Sequence, residues 1–192
     1  MPRHTRLNKD AVLQAAISIL NNEGTNSLTL SRLAAELHIQ SPSLYNHIDG
    51  LAGLQKDLTI LNARQLADAL NEAAVGVSGE DLFMAVAQRF RNYVKQNPGL
   101  YLATLQSSGN QIEPDPELIR EEERALKIGL LVMQSIGLTG EDAIHALRAF
   151  RSVVHGFSTL EIAGGFGLPQ DCDISFRRLI IGLIKGIQFD AG

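Results

Sequence analysis

Only one cysteine, Cys172, occurs in 192 residues. A single thiol cannot close an internal disulfide, and no cluster of thiols or histidines has the spacing of a structural metal site. Proline is scarce as well, at 6 residues, in a chain that is 45% hydrophobic and 20% charged. Those proportions exclude a disordered or fibrous polymer and imply packed structure nearly throughout. Long apolar runs are missing: residues 179–184 are the most apolar stretch, bounded by Arg177, Arg178 and Lys185, and fall far short of the roughly 20 residues that span a bilayer. The charged start, Met-Pro-Arg-His-Thr-Arg, leads into an amphipathic segment and lacks the apolar core of a signal peptide. These absences predict a cytoplasmic protein with no membrane contact, no metal and no cofactor. Positive charge is also in deficit, with 17 Lys and Arg against 21 Asp and Glu, a net charge of -4. That balance opposes nucleic-acid binding, which Lys and Arg drive by releasing counterions. Its distribution softens the objection, because Arg3, Arg6, Lys9 and Arg32 balance Asp10, Glu23, Glu36 and Asp49 up to Gly50.

What is present is helical periodicity from end to end. Asn8 is a candidate N-cap for a first helix whose apolar face is Val12, Ala15, Ala16, Ile19 and Leu20, stopped at Gly24. Thr29 caps a short second helix with Leu30, Leu33, Ala34 and Leu37 on one face. Ser41 followed by Pro42 predicts the cap and first turn of a third helix carrying Leu44, Tyr45 and Ile48. So short a connection forces the second and third helices to cross steeply, with Ala34, Leu37, Ile39, Leu44 and Ile48 in the angle. The turn position is His38, which must accept a left-handed conformation. Residues 1–50 thus read as a helix-turn-helix on a three-helix core.

Residues 51–192 read as a larger helical bundle. A long helix is expected from about Leu51 to Ala74, followed by segments ending near Gln96, Gln106, Ile136, Ala163 and Phe189. Thr139 with Asp142 predicts a capping box, and Asp173 a cap for the last helix. The last two helices are apolar on more than one face, and Gly182 and Gly186 permit close approach, which predicts a homodimer through a four-helix interface. The fold class is all-α, with no strand and no repeat.

The run Ser27-Leu-Thr-Leu-Ser-Arg-Leu-Ala-Ala-Glu-Leu-His-Ile-Gln-Ser-Pro-Ser-Leu-Tyr-Asn-His-Ile resembles the DNA-binding domain of the tetracycline-repressor family, most closely at Leu28-Thr29 and at residues 44–48. The likeness covers residues 8–54, and Val154-His155-Gly156-Phe157 with the helix after Phe176 is similar to that family's C-terminal half. It implies a dimer whose reading helices enter successive major grooves about 34 to 36 Å apart, or a multiple of that. It also implies a pocket for a small-molecule effector within the bundle, coupled to the reading heads by a tilt of the long helix. The partners expected are a double-stranded operator, that effector and a second copy of the chain, in a repressor released by its ligand.

The residues agree with that reading. Gln40, Ser41 and Ser43 can meet base edges, and Pro42 a thymine methyl. Tyr45, Asn46 and His47 continue the same stretch, with the phenol and imidazole able to donate to phosphates. Thr29 and Ser31 add donors at the start of the second helix, and Arg3, Arg6 and Lys9 a basic arm. Capping alone would account for Thr29 and Ser41, and Tyr45 could instead pack its ring against the first helix. Where the family commonly has a phosphate-reaching lysine, this chain has Leu51, with no lysine nearby before Lys56.

Candidate effector contacts are Phe90, Tyr93, Tyr101, Leu105, Met133, Phe150, Arg151 and His155, although any one aromatic or methionine could be ordinary core. Arg151 and His155 lie one turn apart in an apolar helix and, if buried, need partners such as Glu161 or a dimer contact. No catalytic constellation assembles: His145 and His155 lack metal spacing, Cys172 has no neighbouring histidine, and residues 121–123 read as a solvated helix start. The alternative to a regulator is a helical adaptor of the same fold that acts through protein contacts without binding DNA.

Overall fold

A computed structural model describes residues 7–107 and 115–190, and among them there is helix and no strand. In order these are α1 (Lys9–Glu23), a short 3-10 turn (Thr25–Ser27), α2 (Leu30–Glu36), a 3-10 segment (Ser41–Asn46), α3 (Gly50–Ala74), α4 (Gly79–Gln96), α5 (Pro98–Ser107), α6 (Pro116–Ser135), α7 (Gly140–Ile162) and α8 (Cys172–Asp190). The chain forms two compact units, one from residues 1–62 and 97–118, the other from 63–96 and 119–192.

In the first unit the caps are local. Asn8 accepts a 2.8 Å hydrogen bond from the Ala11 amide to start α1, and Gly24 at φ 90 ends it. Thr29 accepts from the Arg32 amide at 3.1 Å to start α2. That helix closes through the His38 amide on Ala35 O and the Ile39 amide on Ala34 O, at 3.1 and 3.0 Å, with His38 at φ 55. This paired closure places His38 in the left-handed position that glycine usually takes.

The third helix differs from expectation. Residues 41–46 wind as 3-10, with Ser43 N donating to Gln40 O at 2.9 Å and His47 N to Leu44 O at 2.8 Å. Gln40 precedes the first turn and no side chain caps it, so Ser41 is inside the segment and not its cap. Pro42 supplies no amide, and six residues are too few to repay α-helix nucleation; the tighter winding satisfies the ends at once. Val12, Ala16, Ile19, Leu20, Leu33, Ala34, Leu44, Ile48, Leu54 and Leu58 form the core, with Leu37 and Ile39 partly buried against it.

Leu100 of α5 belongs to that same core, with no exposed surface. Gly99 shows how closely α5 approaches α1: a Cβ there would lie 1.8 Å from Leu20 O and 2.6 Å from Asn21 N. No side chain but hydrogen fits. The Asn21 side-chain oxygen Oδ1 accepts from the Gly99 and Leu100 amides at 2.9 and 3.1 Å, so a residue of α1 caps the first turn of α5.

In the second unit α4 packs on α7 and α8. Phe83 and Phe150 meet edge to face at 4.8 Å, and Val86, Ala87, Phe90, Val94, Val154, Phe176 and Ile180 are buried around them. Two expected caps are different. Thr139 stands at the cap position and its backbone carbonyl accepts from the Ala143 amide at 3.3 Å, but its side chain makes no cap bond. Asp171 caps α8 in place of Asp173, accepting from the Asp173 and Ile174 amides at 2.6 and 3.2 Å.

Candidate DNA interface and effector residues

Within the first unit, Thr29, Ser31, Gln40, Pro42, Tyr45 and Asn46 are exposed, and Ser41, Ser43 and His47 are half-buried. None of these side chains is acidic. Tyr45 is 61% exposed, so its ring is not packed into α1 and its hydroxyl stands in solvent. The Thr29 hydroxyl oxygen is engaged in capping, which leaves its O–H free to donate. Together they make a short set of neutral donors and acceptors around the turn. Arg3 and Arg6 lie outside the described residues.

The cations of this unit have a different arrangement. Arg32 grips Glu23 through Nε at 3.2 Å and Nη2 at 2.6 Å, and Nη2 reaches Glu36 at 2.8 Å. Its two carboxylates raise the guanidinium pKa further, and the Arg32 hydrogen bonds lower that of Glu23. Lys9 is 2.7 Å from Asp57, so the arm's third base is not free. Lys56 is 2.6 Å from Asp115, whose other oxygen accepts from the Glu117 amide at 2.7 Å. Leu51, at the position where the family commonly has a lysine, packs against the core.

The candidate effector residues divide between the units. In the first, Tyr101 is buried and Leu105 is 40% exposed. Beside Tyr101 lies a feature that sequence reading missed: buried Asn62 donates to Thr104 Oγ1 at 2.9 Å, and Thr104 donates to the Tyr101 carbonyl at 3.0 Å. In the second, Phe90, Tyr93, Met133 and Phe150 are buried, and the Tyr93 hydroxyl donates to Gln65 Oε1 at 3.5 Å. Arg151 is exposed, so the expected buried pair with His155 does not form. His155 is half-buried, and burial, then the charge of Arg151, hold its pKa below the usual value.

Glu161, expected as a partner for that pair, is held by Arg91. Arg91 is 1% exposed, donates Nε and Nη2 to the two Glu161 oxygens at 2.6 Å each, and has Nη1 2.7 Å from Asp173 Oδ1. That last contact is an ion pair without hydrogen-bond alignment. The guanidinium also lies over Phe157 and Phe176, at 5.4 and 5.0 Å from the ring centroids, and Lys95 joins Glu161 at 2.9 Å. Arg91 thus fastens α4 to the end of α7 and the start of α8. Its place eight residues after Phe83 and four after Ala87, on the apolar face, was the available signal. No group of His, Cys, Asp and Glu among the described residues could hold a metal ion, and none of their helices is long and apolar enough to cross a membrane.

A helix-turn-helix followed by a helical bundle is the frame of a regulator class, and comparison with known proteins gives the family. Residues 83–183 match the family model "Tetracyclin repressor-like, C-terminal domain". An uncharacterized HTH-type transcriptional regulator of Mycobacterium tuberculosis is 32% identical over 187 residues, covering 97% of this chain and 84% of its own. The class G tetracycline repressor of Vibrio anguillarum is 28% identical, over 82% of this chain and 70% of its own. Among solved structures, a variant TetR of Acinetobacter baumannii in complex with minocycline has the same fold, with a TM-score of 0.69 at 22% identity over 97% of this chain and 99% of its own. The chain belongs to the tetracycline-repressor family, whose members are DNA-binding transcriptional regulators.

Proposed function

We propose that this protein is a repressor that holds an operator as a homodimer and releases it when a small molecule binds. Residues 1–50 read DNA, and residues 51–192 sense the effector and dimerise. The observation that carries the reading is the run from Gln40 to His47, which follows the His38 turn, exposes Gln40, Pro42, Tyr45 and Asn46, and has no acidic side chain. Such groups suit major-groove edges and the flanking phosphates. Tyr45, Asn46, His47, Thr29 and Ser31 position the turn on the backbone, Gln40, Ser41, Pro42 and Ser43 meet the bases, and Arg3 and Arg6 add charge.

Dimerisation runs through α7 and α8. Leu160, Leu179 and Ile181 are 52%, 39% and 37% exposed in the single chain, apolar surface that a second copy would cover. The candidate effector contacts are Phe90, Tyr93, Met133, Phe150, Arg151 and His155 in the second unit and, separately, Tyr101 and Leu105 in the first, and a structural neighbour of the same fold holds minocycline. To act, the ligand must bind the DNA-incompetent state more tightly than the competent one. Occupancy of a promoter by the dimer blocks it without further contacts.

The test is fluorescence anisotropy with the DNA upstream of the protein's own gene against unrelated DNA. Retention at least about a thousandfold tighter near physiological salt supports the reading. Equal, weak binding to upstream fragments and to genomic DNA at large contradicts it and favours the adaptor.

A further inference from the structure

The charges of the reading head point to a second property, one that rests on the proposed function. Lys9, Arg32 and Lys56 are all the Lys and Arg in the described parts of residues 1–62 and 97–118. Each is tied to carboxylate: Lys9 to Asp57 at 2.7 Å, Arg32 to Glu23 and Glu36 at 2.6 and 2.8 Å, Lys56 to Asp115 at 2.6 Å. The only other Lys or Arg in residues 1–62 are Arg3 and Arg6. We propose that the reading head's described cations are electrostatically silenced by Glu23, Glu36, Asp57 and Asp115, so that they add little phosphate charge and non-specific DNA is held weakly.

Surface ion pairs are individually weak, so a phosphate could draw one of these cations away from its carboxylate. The carboxylates would remain, however, within the roughly 8 to 10 Å over which charge is felt at ordinary ionic strength. Exchanging partners therefore gains little net neutralisation. For Arg32 the exchange would break two contacts, one of them a two-nitrogen grip. What remains at the turn is the row of neutral groups, which discriminates bases and adds little counterion release. The carboxylates thus act on specificity: they lower affinity for all DNA alike and leave base contacts to decide.

The salt dependence of binding measures this directly. Two arginines per protomer, four per dimer, give a slope of log Kobs against log salt of about -3.6; five cations per protomer give about -9. Between about 50 and 200 mM salt these correspond to losses of about 150-fold and more than about 10⁵-fold. The slope is measured by anisotropy on an upstream duplex and on an unrelated duplex, with wild type, Glu23→Gln/Glu36→Gln, Lys56→Gln and Arg3→Gln/Arg6→Gln.

The proposal expects the shallow slope in the wild type, a slope steeper by about 2 with tighter unrelated-DNA binding after Glu23→Gln/Glu36→Gln, no change after Lys56→Gln, and near loss of salt dependence after Arg3→Gln/Arg6→Gln. A wild-type slope steeper than about -7, or a clearly shallower one after Lys56→Gln, overturns it. Specific retention with a steep slope defeats this proposal alone. A shallow slope without specific retention defeats the repressor reading alone, and no binding of either duplex at about 50 mM salt defeats both.

Discussion

The two units of this chain are fastened by opposite chemistry. In the first, α1 and α5 are joined by neutral groups: a glycine that lets backbones touch, an asparagine that caps a distant helix, and Leu100 in a shared apolar core. Its described Lys and Arg side chains are paired with carboxylates at the surface. In the second unit the fastening is a buried arginine, clasped by Glu161 and Asp173 between two phenylalanine rings. The first device works by fit and tolerates no added atom. The second works by charge satisfaction and tolerates no missing partner. Each therefore fails to a different substitution.

The largest effect is expected at the glycine. Gly99→Ala places a methyl 1.8 Å from Leu20 O, so backbone must move, and denaturant unfolding should show a loss of about 3 kcal/mol. Of comparable size, Glu161→Ala leaves a buried guanidinium short of its main partner and should cost about 3 kcal/mol, while Arg91→Met with Glu161→Leu should recover most of it. That contrast separates the two devices, since no compensating apolar pair can relieve Gly99→Ala.

Acid sharpens the comparison further. Arg91, above all, holds the Glu161 carboxyl below its ordinary range, against a smaller opposing effect of burial. A depressed carboxylate stabilises fully above its unfolded-state pKa and loses that contribution as the pH falls through the folded-state value. The advantage of wild type over Glu161→Ala should shrink below about pH 4.5 in paired unfolding curves, and an advantage constant to strong acid would contradict the ion pair.

Smaller effects test the local caps. Thr29→Ala removes the α2 cap and should cost about 1 kcal/mol. His38→Gly relieves a left-handed histidine and should stabilise by about 0.5 kcal/mol, read as a slightly higher unfolding midpoint.

What could be read from sequence follows the same division. Asn8, Gly24, Thr29 and His38 act on neighbours within a few residues, and their chemistry names the structure they make. The 3-10 winding of residues 41–46 was not legible, because length and Pro42 shift a balance that apolar spacing does not register. Gly99 was not legible either, since its reason, Leu20, lies far back in the chain. Asp173 is the expected cap of α8, but Asp171 caps it and Asp173 faces Arg91: both are acidic and both stand at the helix start, so composition does not separate them. Arg151 and His155 looked conspicuous in an apolar helix, yet the buried cation is Arg91, which the spacing of α4 placed inward. Family resemblance suggested the reading row, and solvent exposure adds that Tyr45 is unpacked.

The most direct measurement of the account is a hydroxyl-radical footprint of the protein on the DNA upstream of its gene. Two protected faces about 34 to 36 Å apart, or a multiple of that, are expected from a dimer with paired reading turns, together with their loss in Gln40→Ala/Tyr45→Ala. Uniform protection, or none, at concentrations where the protein is folded and dimeric would contradict it.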